Sequence, residues 1–180
     1  MKEKTLLSSK DLQRKVTRIV HEILEDNNDI NEVAIVGIKT RGEYLGKRIV
    51  DELKSIEKVD IPFGTLDITL YRDDLRNNLA LPELKETDIP FNVENTTIIL
   101  VDDVLFTGRT IRAAIDAVMD FGRPAKIKLA VLVDRGLREL PIQADYAGLN
   151  IETLPTEKIK VFLKETDKKD KVVIFDNDGI

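Results

Sequence analysis

The chain has 180 residues, of which 42% are hydrophobic and 34% charged, which suits one domain, residues 1–180, with an ordinary apolar core. Its net charge of -5 argues against broad, charge-driven binding of nucleic acid, which needs a basic surface, and leaves room only for a local basic patch. The absence of cysteine excludes disulfides and thiolate metal sites, and the single histidine argues against a histidine-based zinc centre.

No long apolar segment occurs, so we expect a cytoplasmic protein without a membrane span. The first predicted helix lies between a capping box at Ser8 and Asp11 and a stop at Asn27. The later predicted elements, in chain order, are a strand over 33–38, a helix over 44–53, strands over 63–71 and 98–101, a helix over 111–121, and strands over 127–133, 145–149, 158–163 and 171–175.

Strands that alternate with helices predict an α/β fold with a mostly parallel sheet. Ligands of such sheets bind at the carboxyl ends of the strands. The loops at 39–42, 102–110 and 134–138 each follow a predicted strand, so we expect them to converge on one crevice. Residues 72–95 form a long polar stretch, and a loop of that length in a compact domain is either functional or disordered.

The most informative run joins the buried strand over 98–101 to a helix. Asp102 and Asp103 follow the strand, and a Thr-Gly-Arg-Thr turn over 107–110 precedes the helix. Backbone N–H groups and hydroxyls of such a turn can hold a phosphate. The two carboxylates would repel phosphate, so they suit ribose hydroxyls or Mg²⁺. Neighbouring side chains of a strand point to opposite faces, so both carboxylates reach one ribose only if the strand ends between them. The run predicts a ribose 5-phosphate site; the alternative is a capped helix after a strand that ends in acids.

This run resembles the phosphoribosyl pyrophosphate (PRPP) motif of type I phosphoribosyltransferases. Further runs, at 17–21, 36–42, 67–74, 133–136 and 138–142, resemble bacterial PyrR proteins, and the similarity extends from about residue 8 to residue 164. The resemblance implies the type I phosphoribosyltransferase fold, a mostly parallel central sheet flanked by helices, with a flexible flap and a small hood. It also implies a homo-oligomeric uracil phosphoribosyltransferase, dimer or tetramer, that makes UMP and pyrophosphate from uracil and PRPP with bound Mg²⁺, and regulates pyr genes by binding the mRNA leader.

The resemblance also assigns site residues. Contacts to PRPP and UMP are implied for Lys39, Thr40, Arg41, Gly42, Asp102, Asp103, Val104, Thr107, Gly108, Arg109 and Thr110. Catalytic roles are implied for Asp102, Asp103, Arg41 and Arg72, and the flap begins with Tyr71, Arg72, Asp73 and Asp74. Uracil is expected at Val133, Asp134, Arg135 and Gly136, and Mg²⁺ is expected to enter with PRPP rather than at a separate protein site.

Simpler explanations stay open for several of these segments. The loop at 39–42 is also compatible with a surface loop that carries solvated cations, and the flap with an ordinary disordered loop. Arg135 and Arg138 are also compatible with surface ion pairs to Asp134 and Glu139.

RNA contacts are implied for Thr17, Arg18, His21 and Arg138, although the helical face of the first three also suits a solvated surface. The chain departs from the PyrR pattern here, because Asp26, Leu137, Gln143 and Leu149 stand where the RNA surface usually carries basic residues. Lost cations weaken RNA binding, so we expect reduced RNA binding. Two other hypotheses stay open: a nucleotide-sensing RNA regulator with incidental catalysis, and a transferase for another base such as hypoxanthine or orotate.

Overall fold

The computed structural model describes residues 3–73 and 86–176. Its strands are β1 (Glu3–Leu7), β2 (Val33–Ile38), β3 (Phe63–Leu66), β4 (Thr97–Leu105), β5 (Lys126–Asp134), β6 (Tyr146–Asn150), β7 (Glu157–Phe162) and β8 (Lys171–Asp176). Its helices are α1 (Ser9–Asp26), α2 (Arg41–Glu57), α3 (Arg109–Met119) and the short α4 (Lys164–Asp167). No helix in these ranges has the length and apolar run needed to cross a bilayer.

A five-stranded sheet in the order β3-β2-β4-β5-β6 lies at the centre, and all of its neighbouring strands run parallel. Because side chains alternate along a strand, β4 contributes to two cores. Ile99 and Val101 pack with α1 and α2, whereas Ile98 and Leu100 pack with α3 on the other face. The predicted α/β fold with a mostly parallel sheet and flanking helices is confirmed.

The order of the strands creates a crevice between β2 and β4. The chain leaves β2 for β3 on one side and returns to β4 on the other side, so β2 and β4 are neighbours whose following loops diverge. Ligands of open parallel sheets bind where the strand order reverses in this way. The loops after β2 and β4 are those predicted to hold anions.

The hood is a separate three-stranded antiparallel sheet in the order β1-β8-β7, with α4 between β7 and β8. Arg48 of α2 joins the hood to the main body by donating to Glu165 at 2.7 Å and Asp170 at 2.8 Å. The strand β1 has no counterpart in the sequence prediction, because only Leu7 of its five residues is buried. Its pairing with β8, at the far end of the chain, makes it a strand.

Several predicted boundaries were wrong: the helix predicted over 44–53 is Arg41–Glu57, and two strands near the crevice end elsewhere. The strand predicted over 63–71 ends at Leu66, because the Asp67 carboxylate accepts hydrogen bonds from the Thr69 N–H at 3.0 Å and the Thr69 hydroxyl at 2.5 Å and turns the chain. The strand expected to end between Asp102 and Asp103 continues to Leu105, because β4 stays paired with β5 that far. Most of the expected flap, including Asp74, falls in residues 74–85, outside the described residues.

Candidate active site

A cavity of about 310 Å³ opens at the carboxyl ends of β2 and β4. Its lining residues are Ile38, Lys39, Thr40, Arg41, Asp67, Ile68, Thr69, Arg72, Asp102, Asp103, Val104 and Thr110. A second cavity of about 280 Å³ surrounds the turn over 107–110 and shares Arg72, Val104 and Thr110 with the first. Because the two adjoin, the structure brings the loop after β2, the acid pair and the turn into one crevice.

The loop over 134–138 lines neither of these two cavities. Asp134, Gly136 and Arg138 border a cavity of about 550 Å³ on the side of β6. The segment after the loop nevertheless contacts the turn, since the Thr107 carbonyl accepts hydrogen bonds from the N–H groups of residues 139 and 140 at 2.9 and 3.1 Å. The expected convergence on one crevice therefore holds for two of the loops. The third lines a different cavity, and only the residues that follow it, 139 and 140, bond the turn.

Asp102 and Asp103 both line the crevice although the strand continues past them. Asp102 accepts a hydrogen bond from the N–H of Asp103, and Asp103 accepts one from the N–H of Val104, each at 2.9 Å. A carboxylate bonded to the next N–H leans along the strand toward its carboxyl end. This lean gives both side chains access to the same cavity, which strand alternation alone would forbid.

The acid pair lies in an environment that disfavours its charge. Burial raises the pKa of Asp102 well above its ordinary value, and the neighbouring Asp103 raises it further, whereas Arg72 lowers it. Burial also raises the pKa of Asp103, with Arg41 opposing the rise. Hydroxyl donors, a cation, or both would relieve this cost, as expected of a site built for ribose or Mg²⁺.

The loop after β2 presents the start of α2 to the crevice. A Cβ atom on Gly42 would lie 2.2 Å from the Val101 carbonyl oxygen, so only glycine lets the first turn of α2 rest against β4. Lys39 and Thr40, which are joined by a cis peptide bond, are partly exposed in the cavity wall. The amino end of a 17-residue helix and two nearby cationic side chains, Lys39 and Arg41, are features that suit the binding of an anion.

The turn over Thr107–Thr110, the phosphate turn, begins α3 with Gly108 in the left-handed region at φ +92°. A helix leaves its first N–H groups without intrahelical partners, and Gly108 supplies no side-chain cap for them. Thr110 lines both cavities. The side chain of Arg109 donates to Asp73 at 2.7 Å and Glu139 at 2.5 Å. Because its guanidinium is paired with these two acids, we expect Arg109 to contact a phosphate through its backbone N–H.

We expect Thr107→Val and Thr110→Val each to weaken binding of UMP and PRPP about 3- to 10-fold, because each removes a hydroxyl that can donate to the phosphate. Binding of pyrophosphate should change little. Calorimetric titration with UMP measures the effect, and Thr156→Val, in an exposed loop, is the matched control. Unchanged UMP affinity in both turn variants would contradict the assignment.

The described residues at the expected start of the flap, 71–73, differ in what they contact. Arg72 lines both cavities of the crevice. The Tyr71 hydroxyl donates to Asp120 at the end of α3, and Asp73 accepts from Arg109. Arg72 is therefore the described residue of this segment that faces the ligand space.

Arg135, expected near uracil, has its side chain in the protein interior and is only 5% exposed. It donates to the Thr153 hydroxyl at 2.9 Å and to the carbonyls of Leu154 and Glu157 at 3.2 and 2.8 Å. Its guanidinium also lies 4.2 Å from the centre of the Phe106 ring. The side chain thus ties the end of β5 to the start of β7 and the segment before it, and is turned away from the expected uracil position.

The expected RNA residues are partly committed to internal contacts. Arg18 donates to the carbonyls of Ala147 and Gly148 in β6 and pairs with Glu22 at 3.1 Å. Thr17 is half-buried, whereas His21 is exposed.

Arg138 forms an ion pair with Asp134, as the simpler explanation allowed, and donates to the carbonyls of Phe106 and Ile142, each at 2.8 Å. Asp26, one of the departures from the basic pattern, accepts from Lys128 and from the Tyr146 hydroxyl, each at 2.8 Å. Arg138 and Lys128 are therefore each paired with an acid of the protein itself.

Asp67 and Thr69 line the crevice but were missing from the predicted site. The strand predicted over 63–71 continues past both residues, so it gave no reason to place them at the end of a strand. The run at 67–74 resembles the PyrR pattern, and this resemblance was the signal that could have included them.

Comparison with known proteins identifies the family. The model of the phosphoribosyl transferase domain matches residues 3–171. The chain belongs to the phosphoribosyltransferase family. Within this family it is similar to the bifunctional protein PyrR of Enterococcus faecalis, with 54% identity over 97% of both chains. The bifunctional protein PyrR of Deinococcus radiodurans is 52% identical over 98% of this chain and 96% of its own.

Solved phosphoribosyltransferases share the fold. A hypoxanthine-guanine phosphoribosyltransferase of Bacillus anthracis superposes with a TM-score of 0.70 over 98% of this chain and 99% of its own, at 20% identity. The hypoxanthine phosphoribosyltransferase of Trypanosoma cruzi gives a TM-score of 0.70 at 16% identity over 96% of both chains. These neighbours establish the type I phosphoribosyltransferase fold.

Phosphoribosyltransferases generally use Mg²⁺ with PRPP, and the donor set of the crevice fits an ion that arrives in this way. The described residues contain no cluster of three or more ligands that could hold a metal by themselves. Mg²⁺ commonly takes one or two carboxylates and completes its shell with substrate phosphates and water. Asp102, Asp103 and Asp67 supply carboxylates to the same cavity.

Proposed function

We propose that this protein transfers the phosphoribosyl group of PRPP to uracil, giving UMP and pyrophosphate. The observation that carries the proposal is the single crevice that contains an acid pair, a cationic helix start and a phosphate turn. These parts suit the ribose, the pyrophosphate and the 5-phosphate of one substrate. The full-length similarity to PyrR proteins supports the assignment within the family.

In the proposed reaction, uracil N1 forms a bond to the anomeric carbon while the bond to pyrophosphate breaks, and the proton of N1 passes to water. Asp102 and Asp103 hold the ribose hydroxyls, and the phosphate turn holds the 5-phosphate. Lys39, Arg41 and the start of α2 stabilise the charge that develops on departing pyrophosphate. Mg²⁺ that enters with PRPP would supply further positive charge to this leaving group.

The choice of uracil rests on the PyrR similarity and on the loop after β5. Gly136 has φ +72°, and apart from its chain neighbours no heavy atom lies within 4 Å of a Cβ placed there, so a flat ring has room to approach the loop. The Gly136 N–H donates to Asp134 at 3.0 Å, and its carbonyl accepts from Arg138 at 3.1 Å but keeps a second lone pair for a ligand. Backbone donors and acceptors can pair with the edge of a pyrimidine ring. The hypoxanthine-guanine neighbours share too little sequence to argue for a purine.

The test is an assay of the purified protein with PRPP, Mg²⁺ and one base at a time: uracil, hypoxanthine, guanine or orotate. We expect a nucleotide product when uracil is the base, and none with the other three bases. Product with another base and none with uracil would contradict the proposal, and Asp102→Asn is the control for contaminating activity.

We further propose that the protein keeps an RNA-regulatory role of the PyrR type, on a pyr mRNA leader, but with weakened affinity. The relatives at 52 and 54% identity are bifunctional PyrR proteins, which supports the role. The internal contacts of Arg18 and Arg138, and the acid at Asp26, reduce the charge available to phosphates. Assembly as a dimer or tetramer stays a prediction, which light scattering on the purified protein can check.

We expect the double variant Gln143→Arg with Leu149→Lys to bind a pyr leader more tightly, because two added cations make new phosphate contacts. The slope of log K against log salt should steepen by about 1–2 units. Gel-shift titrations with UMP over a range of salt measure both effects.

The double variant Met119→Lys with Phe121→Arg adds the same charge at exposed positions at the end of α3 and is the control. Tight, UMP-enhanced binding by the unmodified protein at physiological salt would contradict the expected weakening.

A further inference from the structure

One contact connects the hood to the pyrophosphate end of the crevice. Arg41, in the first turn of α2, places Nη2 3.3 Å from both carboxylate oxygens of Asp167 in α4. The two side chains are 31% and 19% exposed, so the pair is largely shielded from water. Arg41 lines the crevice, whereas Asp167 lies in the hood, outside the crevice lining.

Asp167 is also held in place by hydrogen bonds from its own segment of the chain. One carboxylate oxygen accepts hydrogen bonds from the N–H of Leu163 at 3.0 Å and from the hydroxyl of Thr166 at 2.6 Å. These bonds, strengthened by Arg41, keep the pKa of Asp167 below its ordinary value, so the side chain is charged at neutral pH. A fixed, charged acceptor holds a long arginine side chain in one orientation.

Arg41 retains a donor that the protein leaves unused. Its Nε is buried and has no hydrogen-bond partner among the described residues. A buried N–H without a partner is costly, so the contact with Asp167 has to offset this cost in the ligand-free protein. Arg41 lines the same cavity as Asp102 and Asp103, and its guanidinium lowers the pKa of the Asp103 carboxyl.

We propose that Asp167 is a positioning residue that holds the Arg41 guanidinium at the crevice, where it meets the pyrophosphate of PRPP. The inference rests on the proposed function and deepens it by giving the hood a part in binding the leaving group. Without Asp167, Arg41 must lose its rotamer freedom when PRPP binds, and the affinity falls by the cost of ordering the side chain.

The expected signature separates substrate binding from the chemical step. Asp167→Ala should raise the KM for PRPP about 3- to 10-fold, the cost of immobilising one long side chain, while kcat stays within about twofold. Asp167→Asn and Thr166→Val, which weaken the anchor without removing it, should give smaller increases. UMP has no pyrophosphate, so its affinity by calorimetry should be the same in all variants.

Glu165→Gln is the matched control, because Glu165 also lies in α4 and also pairs with an arginine of α2, Arg48, outside the crevice. A general loosening of the hood would raise the KM for PRPP in this control as well. Equal increases in the Glu165 and Asp167 variants would therefore overturn the proposal, and so would an unchanged KM in Asp167→Ala. A lower KM in Asp167→Ala would show that Asp167 competes with pyrophosphate, and would overturn it too.

Direct titration with Mg²⁺-pyrophosphate separates this inference from the proposed function. Binding of that probe does not depend on which base is used. We expect Asp167→Ala to weaken it and Glu165→Gln to leave it unchanged, whatever the base assay gives. If both variants and the unmodified protein bind Mg²⁺-pyrophosphate equally, the positioning role of Asp167 is contradicted, and the proposed function is not.

Discussion

Asp102→Asn and Asp103→Asn are each expected to slow phosphoribosyl transfer by roughly 10- to 150-fold at saturating Mg²⁺. A lost hydrogen bond to a charged group costs about 1.5–3 kcal/mol, and each 1.36 kcal/mol is a tenfold change in rate. Asparagine keeps the shape and one acceptor oxygen, so the bonds from the N–H groups of residues 103 and 104 can persist. Full activity in both variants would show that the ribose assignment is wrong.

The same substitutions are expected to stabilise the ligand-free protein at neutral pH. The folded state raises the pKa of both carboxyls, so it retains protons that the unfolded chain has already lost. The free energy of unfolding therefore falls as pH rises from about 4, and the cost is present at neutral pH. Asparagine carries no charge and removes this cost.

Thermal unfolding at several pH values measures the effect. The advantage of each variant over the unmodified protein should be greatest at neutral pH and shrink toward pH 4, with about 2–4 °C in Tm for each kcal/mol relieved. Asp116→Asn, a half-exposed acid on α3, should change neither Tm nor activity. A loss of stability at neutral pH in both site variants would contradict the unfavourable burial of these charges.

Arg135→Met is expected to lower the free energy of unfolding by about 3 kcal/mol, because it removes three hydrogen bonds from a buried, charged donor. The carbonyls of Leu154 and Glu157 and the hydroxyl of Thr153 lose their partner. The aromatic face of Phe106 loses the guanidinium above it. Because these contacts hold the end of β5, we also expect a higher KM for uracil.

Urea denaturation followed by circular dichroism measures the loss of stability. Arg14→Met, which removes an arginine whose side chain is 67% exposed, is the control and should stay within about 0.5 kcal/mol of the unmodified protein. A similar small change in Arg135→Met would mean that the buried contacts contribute little and that Arg135 is free to act on the ligand.

The sequence predicted the structure well where residues close together in the chain determine it. The capping box of α1 formed as predicted, because Ser8 and Asp11 bond each other within one turn. The phosphate turn formed between β4 and α3, because a glycine in the left-handed region and a helix start are local features. Local runs of this kind also carried the family resemblance, which the phosphoribosyl transferase match confirmed.

The side-chain directions at the site were not predictable in this way. The strand was expected to stop between Asp102 and Asp103, but pairing with β5, distant in sequence, extends it to Leu105. Arg135 was expected at the ligand, yet its acceptors lie 18–22 residues later, in a segment whose position the local sequence does not specify.

The sequence by itself determined the α/β class, the family and the crevice loops, because apolar periodicity and a local motif encode them. Only the tertiary structure decided that β1 joins the hood, that Asp67 faces the crevice and that Asp167 meets Arg41. Asp167 and Arg41 are 126 residues apart, and an acid on a short surface helix has no local pattern that points to its partner. Such contacts depend on how the sheet and the hood pack together, and this packing sums many weak interactions spread over the whole chain.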